Sequence, residues 1–374
     1  MKVLVCIPCL LTGGTEIQTL NLVQALVDGG HEVTTVCYFE FSANMIRRYE
    51  SAGSRVVCLN QDGSRPVGTF NTVKFLYSGF KNVIKNVKPD IAHVQYMAPG
   101  AIPVILLKLL GIKKIIATAH TFADIYPSLR LLRFLQRHVL TAFTCITELA
   151  EKSFFGTSQL YSSKTEQKKK GNHFTIYNSL PKYFQISEEK KNYSGTITIG
   201  VVSRLEKIKG MDLVVPAFAK VNGLFPDTRL IVVGDGSLLE TMKAQAKDLD
   251  CGDSIEWCGR QPQEILSGWY RKMDIVLMPS RSEGFGLTAI EAMANGCVVV
   301  VANIGGLPEV VNDGEVGLLH VPESVEDLSD KIQDLLEDKE RLAQMSSNVL
   351  RYVKRFSFER YSQSFNDLYK RIGK

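Results

Sequence analysis

The sequence predicts an α/β protein of two domains, each built on a parallel sheet, and three observations lead there. The chain has 374 residues, whereas single hydrophobic cores stop growing at roughly 250 to 300 residues. Short, continuous apolar runs alternate with stretches of helical spacing, the pattern of a parallel sheet covered on both faces. After a polar, lysine-rich interval, SSKTEQKKKGNH, the alternation starts again.

In order, KVLVCIP reads as a strand, TEIQTLNLVQALVDGG as a helix and HEVTTVCY as a strand, with DIAHVQ, KKIIATAH and FTCIT as later strands of the same domain. TITIGVVS, RLIVVGDG, SIEWCG, DIVLMPS and CVVVVAN, each followed by helical spacing, form the second domain. The joint falls near residues 180 to 195, which gives domains 1–190 and 191–355. The last stretch, residues 356–374, FSFERYSQSFNDLYKRIGK, is helical in spacing and is expected to cross back and brace the first domain. In open α/β sheets ligands sit at the carboxyl ends of the strands, so two such domains are expected to enclose a polar ligand in a cleft.

A net charge of +5 and a pI near 8.6 suit phosphorylated ligands or an anionic membrane surface and fall short of a nucleic-acid footprint. The eight cysteines lie mostly in or beside apolar runs and read as reduced thiols, which points to the cytoplasm. Cys6 and Cys9 form a Cys-x-x-Cys, but they finish the first strand and no second pair supplies metal ligands; no metal site is expected. MKVLVCIPCL fits a strand better than a secretion signal, and the apolar region AIPVILLKLLGIKKIIATA is broken by Lys108, Lys113 and Lys114, so no spanning helix is expected.

The loops after the strands carry the candidate chemistry. Gly13 and Gly14 sit between the first strand and a helix, where backbone amides can approach a phosphate; a purely structural Gly-Gly turn is the alternative. SRLEKIKG puts Arg204 and Lys209 just past the first strand of the second domain, two cations suited to a diphosphate, or else a solvated basic loop. In SRSEGFGLTAIEAMANG, Gly284 and Gly286 permit a tight turn, Gly296 closes the helix, Glu283 stands on the loop and Glu291 lies inside the helix. Amides around Phe285 to Thr288 between the two carboxylates make an anion site. Carboxylates beside an anion site bind its neighbours, and hydroxyls are the natural partners. The spacing therefore fits a diphosphate with a sugar at each end.

These residues resemble the retaining glycosyltransferases of family 4, whose GT-B fold has two facing Rossmann-like domains. The resemblance runs through Gly13 and Gly14, the SRLEKIKG segment, the GDG of Gly234 to Gly236, and EGFGLTAIE, preceded by MPSRS and followed by GCVVVVANIGGLPEVV. It implies that Glu291 binds the ribose hydroxyls of a sugar nucleotide and Glu283 the hydroxyls of the donor hexose. It further implies that Arg204 and Lys209 hold the diphosphate, aided by amides at Gly14 and around Phe285, Gly286 and Leu287. Arg260 then lies near the base, and His120 faces the transferred sugar. A metal-independent transfer with retained configuration is implied, the departing phosphate serving as base, with no cofactor. A UDP-sugar is favoured over a GDP-sugar as the expected donor, although no short motif separates uridine from guanosine. His31 reads as structural, and His93 and His173 have no evident partner in the sequence.

The acceptor is expected to be a saccharide or a lipid-linked saccharide. In residues 128–140, SLRLLRFLQRHVL, Arg130, Arg133 and Arg137 share one helical face and Leu131, Leu132, Leu135 and Val139 another, which suits either contact with anionic lipid or a core-packing helix with a solvated face. The lysines at 168–170 add charge. Two other enzyme classes fit parts of the pattern: a glycoside hydrolase using Glu283 and Glu291 as acid and base, and a nucleotide-sugar epimerase of the same fold.

Overall fold

The structure, a computed structural model, describes residues 1–60, 62–95, 101–162, 171–189 and 191–373. The chain divides into two compact units. One comprises Met1–Lys182 with the residues from Phe358 onward, the other Tyr183–Ser357.

The first unit carries seven strands: β1 (Lys2–Ile7), β2 (Glu32–Cys37), β3 (Arg55–Cys58), β4 (Ile91–Gln95), β5 (Lys114–Ala119), β6 (Ala142–Cys145) and β7 (His173–Thr175). Their order is β3-β2-β1-β4-β5-β6-β7, every pairing parallel. Alternate residues of β1 feed opposite cores, because successive side chains of a strand point to opposite faces. Leu4 and Cys6 join Tyr38, Phe80, Ala117 and Phe143 on one side. Val3, Val5 and Ile7 join Ile17, Leu20, Tyr49 and Ile116 on the other.

That second face is completed from the far end of the chain. In the Phe358–Gly373 helix, Phe358, Tyr361, Phe365, Leu368 and Tyr369 are buried at i, i+3 and i+4 spacing. They pack in the same core as the Gly14–Asp28 helix, and Asn366 Nδ2 donates to the Ala25 carbonyl at 3.0 Å. Burial of roughly 25 cal/mol per Å² of apolar surface is what holds such a returning helix in place.

The second unit repeats the pattern with β8 (Thr198–Val202), β9 (Arg229–Val233), β10 (Ile255–Gly259), β11 (Ile275–Met278), β12 (Val298–Ala302) and β13 (Gly317–His320). The order β10-β9-β8-β11-β12-β13 is again parallel and reverses at the same point, between the unit's first and fourth strands. The five residues of β12, VVVVA, are all buried, as a central strand covered on both faces requires. The joint, expected near residues 180 to 195, falls between Lys182 and Tyr183, ahead of the boundary drawn at 190: the Ser187 amide donates to the Ala294 carbonyl at 2.7 Å and the Phe184 ring packs edge-on to Tyr270, both in the second unit.

Two histidines without evident partners in the sequence acquire them in the first unit. His93 Nδ1 meets the Tyr369 hydroxyl at 2.8 Å and its Nε2 meets Thr118 Oγ1 at 2.6 Å. His173 Nδ1 lies against Glu151 Oε1. These partners come from 276 and 22 positions away, beyond the reach of local patterning.

Candidate functional site

In the second unit the candidate residues follow the carboxyl ends of β8, β9, β10 and β11, and backbone hydrogen bonds knit those loops together. The Ser203 amide donates to Val233 O at 3.0 Å, Leu205 N to Asp235 O at 3.0 Å, Gly234 N to Gly259 O at 2.9 Å, and Arg281 N to Ile208 O at 2.9 Å. Glycine is required where these loops touch. A Cβ on Gly234 would meet Ser203 O at 1.8 Å, and one on Gly210 would meet Pro279 O at 1.8 Å.

After β8, Arg204 is exposed and Lys209 ends a short 3-10 turn, Lys207–Lys209. Lys209 Nζ bonds Glu283 Oε2 at 2.7 Å, with both side chains about one-fifth exposed, 23% and 17%. The sequence reading gave these residues separate ligands, and the structure joins them to each other. The intervening Glu206 turns aside: its carboxylate accepts from Ser237 N at 3.1 Å and Ser237 Oγ at 2.6 Å, and these donors hold it below the usual carboxylate range.

After β11 comes the helix Leu287–Ala294, with Gly286 as its N-cap at φ +102° and no capping side chain. Phe285 is buried and meets Phe356 edge-on at 5.6 Å, so its ring anchors the turn. Gly284, with Glu283, leads into that turn. The Glu283 carbonyl accepts from Gly306 N at 3.1 Å, which ties the turn to the loop after β12.

Glu291, on the next turn of the helix, is 9% exposed, and Tyr270 donates to its Oε2 at 3.0 Å. Burial raises the Glu291 carboxyl to about 7, opposed by the Tyr270 hydrogen bond. Arg260 is exposed immediately after β10.

In the first unit His120 closes β5, 9% exposed, with Nε2 at 2.8 Å from Gln95 Oε1 at the end of β4. Burial lowers its pKa to about 4, which keeps the ring neutral. The loop after β1 leads through Gly13, the N-cap of the Gly14–Asp28 helix. A Cβ on Gly13 would come within 2.5 Å of Glu16 Oε2, and Cys9 Sγ donates to Glu16 Oε1 at 3.1 Å. Glu16 is thus an acidic group over the very amides assigned to phosphate. Burial pushes the Cys6 and Cys9 thiols up to about 12, which makes both poor nucleophiles.

Three supporting residues escaped the sequence reading. Nothing in LSGWYR distinguishes Tyr270 from a core aromatic. For Glu16 the available signal is the preference of acidic residues for a helix N-terminus. Arg281 donates to Asp212 at 2.6 and 3.0 Å and to Glu323 at 2.6 Å, bracing the MPSRS loop on the loop after β8.

The helix at 128–140 also differs from expectation. It spans Leu129–His138, capped by Ser128, and buries Leu132, Leu135 and Gln136. Leu131 and Phe134 are exposed, 42% and 56%, and Ile125 beside the helix is 50% exposed. Arg133 Nε donates to Phe154 O at 2.7 Å. The helix axis is therefore rotated from the division the spacing suggested, leaving apolar groups among the cations. Lys168, Lys169 and Lys170 lie outside the described residues.

Among the described residues no helix is long and apolar enough to cross a membrane. Comparison with known proteins gives two family matches, Glycosyltransferase Family 4 over residues 12–151 and Glycosyl transferases group 1 over residues 183–351. D-inositol 3-phosphate glycosyltransferase of Corynebacterium aurimucosum is 34% identical over 180 residues, 46% of this chain and 43% of that protein, so the match spans less than half of that relative's length. N-acetyl-alpha-D-glucosaminyl L-malate synthase of Bacillus anthracis is 28% identical over 99% of this chain and 97% of its own. The structure of Anabaena HepE in complex with UDP matches at a TM-score of 0.79 with 18% identity, covering 99% of this chain and 100% of that one. With two parallel Rossmann-like units of the same strand order and matches along nearly the whole chain, the fold is GT-B, and the protein belongs to the glycosyltransferases of family 4.

Proposed function

We propose that the protein transfers a hexose from a nucleoside diphosphate sugar, UDP favoured over GDP, to a saccharide or lipid-linked saccharide, with retained configuration and without a divalent metal. One observation carries this reading. The Leu287–Ala294 helix starts with no capping side chain; Glu283, paired with Lys209, precedes that start in the chain and Glu291, paired with Tyr270, follows it within the helix. Anion-binding amides flanked by hydroxyl-binding carboxylates suit a diphosphate joined to two sugars.

On this reading Arg204, Lys209 and the helix amides take up the charge that develops on the departing diphosphate. Lys209 exchanges Glu283 for a phosphate oxygen, which frees Glu283 to accept from the hexose hydroxyls. The anomeric carbon loses its bond to the phosphate oxygen and gains one to the acceptor oxygen, and the acceptor's proton passes to the departing phosphate. His120, neutral, orients the sugar. The relatives named for glycosyl transfer and the UDP complex of HepE support the reading. An acid/base pair for hydrolysis fits less well, because Glu283 is matched to a cation and Glu291 to a buried phenol.

Thermal unfolding in the presence of nucleoside diphosphates tests it. UDP is expected to raise the midpoint with concentration, about 2.7 kcal/mol of stabilisation at a hundredfold excess over Kd, and GDP to do less. Glu291→Ala is expected to lose most of that rise. No rise with any nucleoside diphosphate would overturn the reading. With donor and acceptor together, release of UDP is expected; interconversion of the donor sugar without acceptor would indicate the epimerase instead.

For a lipid-linked acceptor, the Leu129–His138 helix is the proposed membrane contact, through Leu131 and Phe134 flanked by Arg130 and Arg137. Each basic residue near an anionic surface contributes about 1 kcal/mol, and apolar groups add burial in the headgroup region. Reversing Arg130 and Arg137 to Glu with Leu131 and Phe134 changed to Ser is expected to reduce sedimentation with phosphatidylglycerol vesicles at least tenfold, with the UDP response intact. Arg133 is left in place because it holds the Phe154 carbonyl. Unchanged sedimentation would retire the membrane contact.

A further inference from the structure

Tyr270 lies fully buried on a six-residue helix, Leu266–Arg271. So short a helix contributes little stability of its own, yet its position is fixed on several sides. Cys297 Sγ donates to the carbonyls of Tyr270 and Met273 at 3.1 and 3.2 Å. Lys191 Nζ donates to the Arg271 carbonyl at 3.0 Å and to that of Met273. Ser267 Oγ meets Asn295 Oδ1 at 2.8 Å, and Asn295 Nδ2 donates to the Glu291 carbonyl at 2.9 Å. The short helix is thereby tied to the same helix that carries Glu291, at its backbone through Asn295 and at its carboxylate through the phenol.

If Tyr270 served packing alone, a phenylalanine would fill the space without a polar atom to satisfy. A buried hydroxyl costs free energy unless it is hydrogen-bonded, and here its partner is a carboxylate whose pKa burial raises to about 7 even with the phenol donating to it. We infer that Tyr270 is a positioning residue for the donor, its hydroxyl holding the Glu291 carboxylate in the orientation and the ionised form that accept from the ribose. This inference rests on the assignment of Glu291 to the ribose in the proposed function.

Few other groups bear on that ionisation. The Thr288 hydroxyl faces the phenol from the helix of Glu291. Cys297 is neutral, its thiol pushed up to about 12 by burial. Lys191 and Asp274 face each other at 4.0 Å beside the carbonyls at the end of the short helix. The sign follows from the phenol: a donor to the carboxylate favours its charged form, so removing the hydroxyl raises the Glu291 pKa further above about 7. At pH 7 more of the carboxyl is then protonated, and binding of ribose hydroxyls weakens; at higher pH it recovers.

The readout is the ratio of Kd for 2′,3′-dideoxyuridine diphosphate to Kd for UDP, in which ionisation of the phosphates cancels, measured by titration calorimetry from pH 6 to 9. The wild-type ratio is expected to be on the order of ten or more above pH 8 and to fall as pH drops through about 7. Tyr270→Phe is expected to lower the ratio several-fold at pH 7 and to approach the wild-type value by pH 9. Glu291→Gln, which cannot ionise, is expected to give a small ratio with no pH dependence. A Tyr270→Phe ratio equal to wild type at every pH would overturn the inference while leaving the ribose assignment standing. A wild-type ratio of one throughout would remove that assignment and the inference with it. The wild-type profile is informative even if Tyr270→Phe fails to fold, since a ratio that stays near one below pH 8 and grows only above it would show the carboxyl protonated despite the phenol and would also overturn the inference.

Discussion

Glu283→Gln is expected to lower turnover about a hundredfold or more while UDP affinity changes by less than about threefold. The substitution keeps the shape of the side chain and removes its charge. Glu283 is held in place from both ends: its carbonyl accepts from Gly306 N at 3.1 Å and its carboxylate from Lys209 at 2.7 Å. In the proposed function Glu283 accepts from the hexose hydroxyls; a neutral amide would accept more weakly, and that interaction would matter most as positive charge develops on the sugar ring. Nucleotide affinity is spared because Lys209, relieved of its counter-charge, remains available for phosphate. Steady-state rates of donor consumption, with UDP titrated against the same preparation, separate the two effects. Losses that fall on turnover alone mark an interaction made in the transition state. Wild-type turnover in the variant would make Glu283 no more than the counter-ion of Lys209.

The fold was legible because its signals are local. Continuous apolar strands such as CVVVV can be buried on both faces only in a covered parallel sheet, and the alternation with helical spacing fixes which strands cross over. The loops were legible for a related reason: glycines at 210, 234 and 286 stand where φ is positive, a conformation that other residues rarely adopt. What could not be read were partnerships between distant positions. Tyr270 lies 21 positions from Glu291, and nothing in LSGWYR distinguishes a phenol aimed at a carboxylate from one packed in a core. Lys209 and Glu283, 74 positions apart, were each visible as a charge beside a ligand, but their pairing is a property of folded loops. The rotation of the Leu129–His138 helix escaped as well, because its buried side is chosen by the neighbouring helix, whose Phe154 carbonyl draws in Arg133.

The largest effect at a residue that touches no ligand is expected from Gly305→Ala. Gly305 has φ +53°, and a Cβ placed there would lie 2.0 Å from the Glu283 carbonyl oxygen and 3.1 Å from its carbon. The obstacle is backbone, so no side chain can turn aside to relieve it. Either the loop after β12 or the Glu283 turn must shift, and the Gly306 N to Glu283 O hydrogen bond is lost with it. Catalytic geometry tolerates little: displacement by about 1 Å costs on the order of a hundredfold in rate. Turnover is therefore expected to fall at least a hundredfold. The sheet core lies apart from this loop, so the protein is expected to fold, with the unfolding midpoint lowered by several degrees for a cost of roughly 1 to 3 kcal/mol. Gly314→Ala supplies the comparison. Its φ is +78°, yet a Cβ there meets nothing within 4 Å. It carries the backbone strain without the collision, so it is expected to lower the midpoint while keeping turnover within a fewfold of wild type. Equal losses of activity in the two variants would mean that strain, and not the approach to Glu283, is what Gly305 relieves.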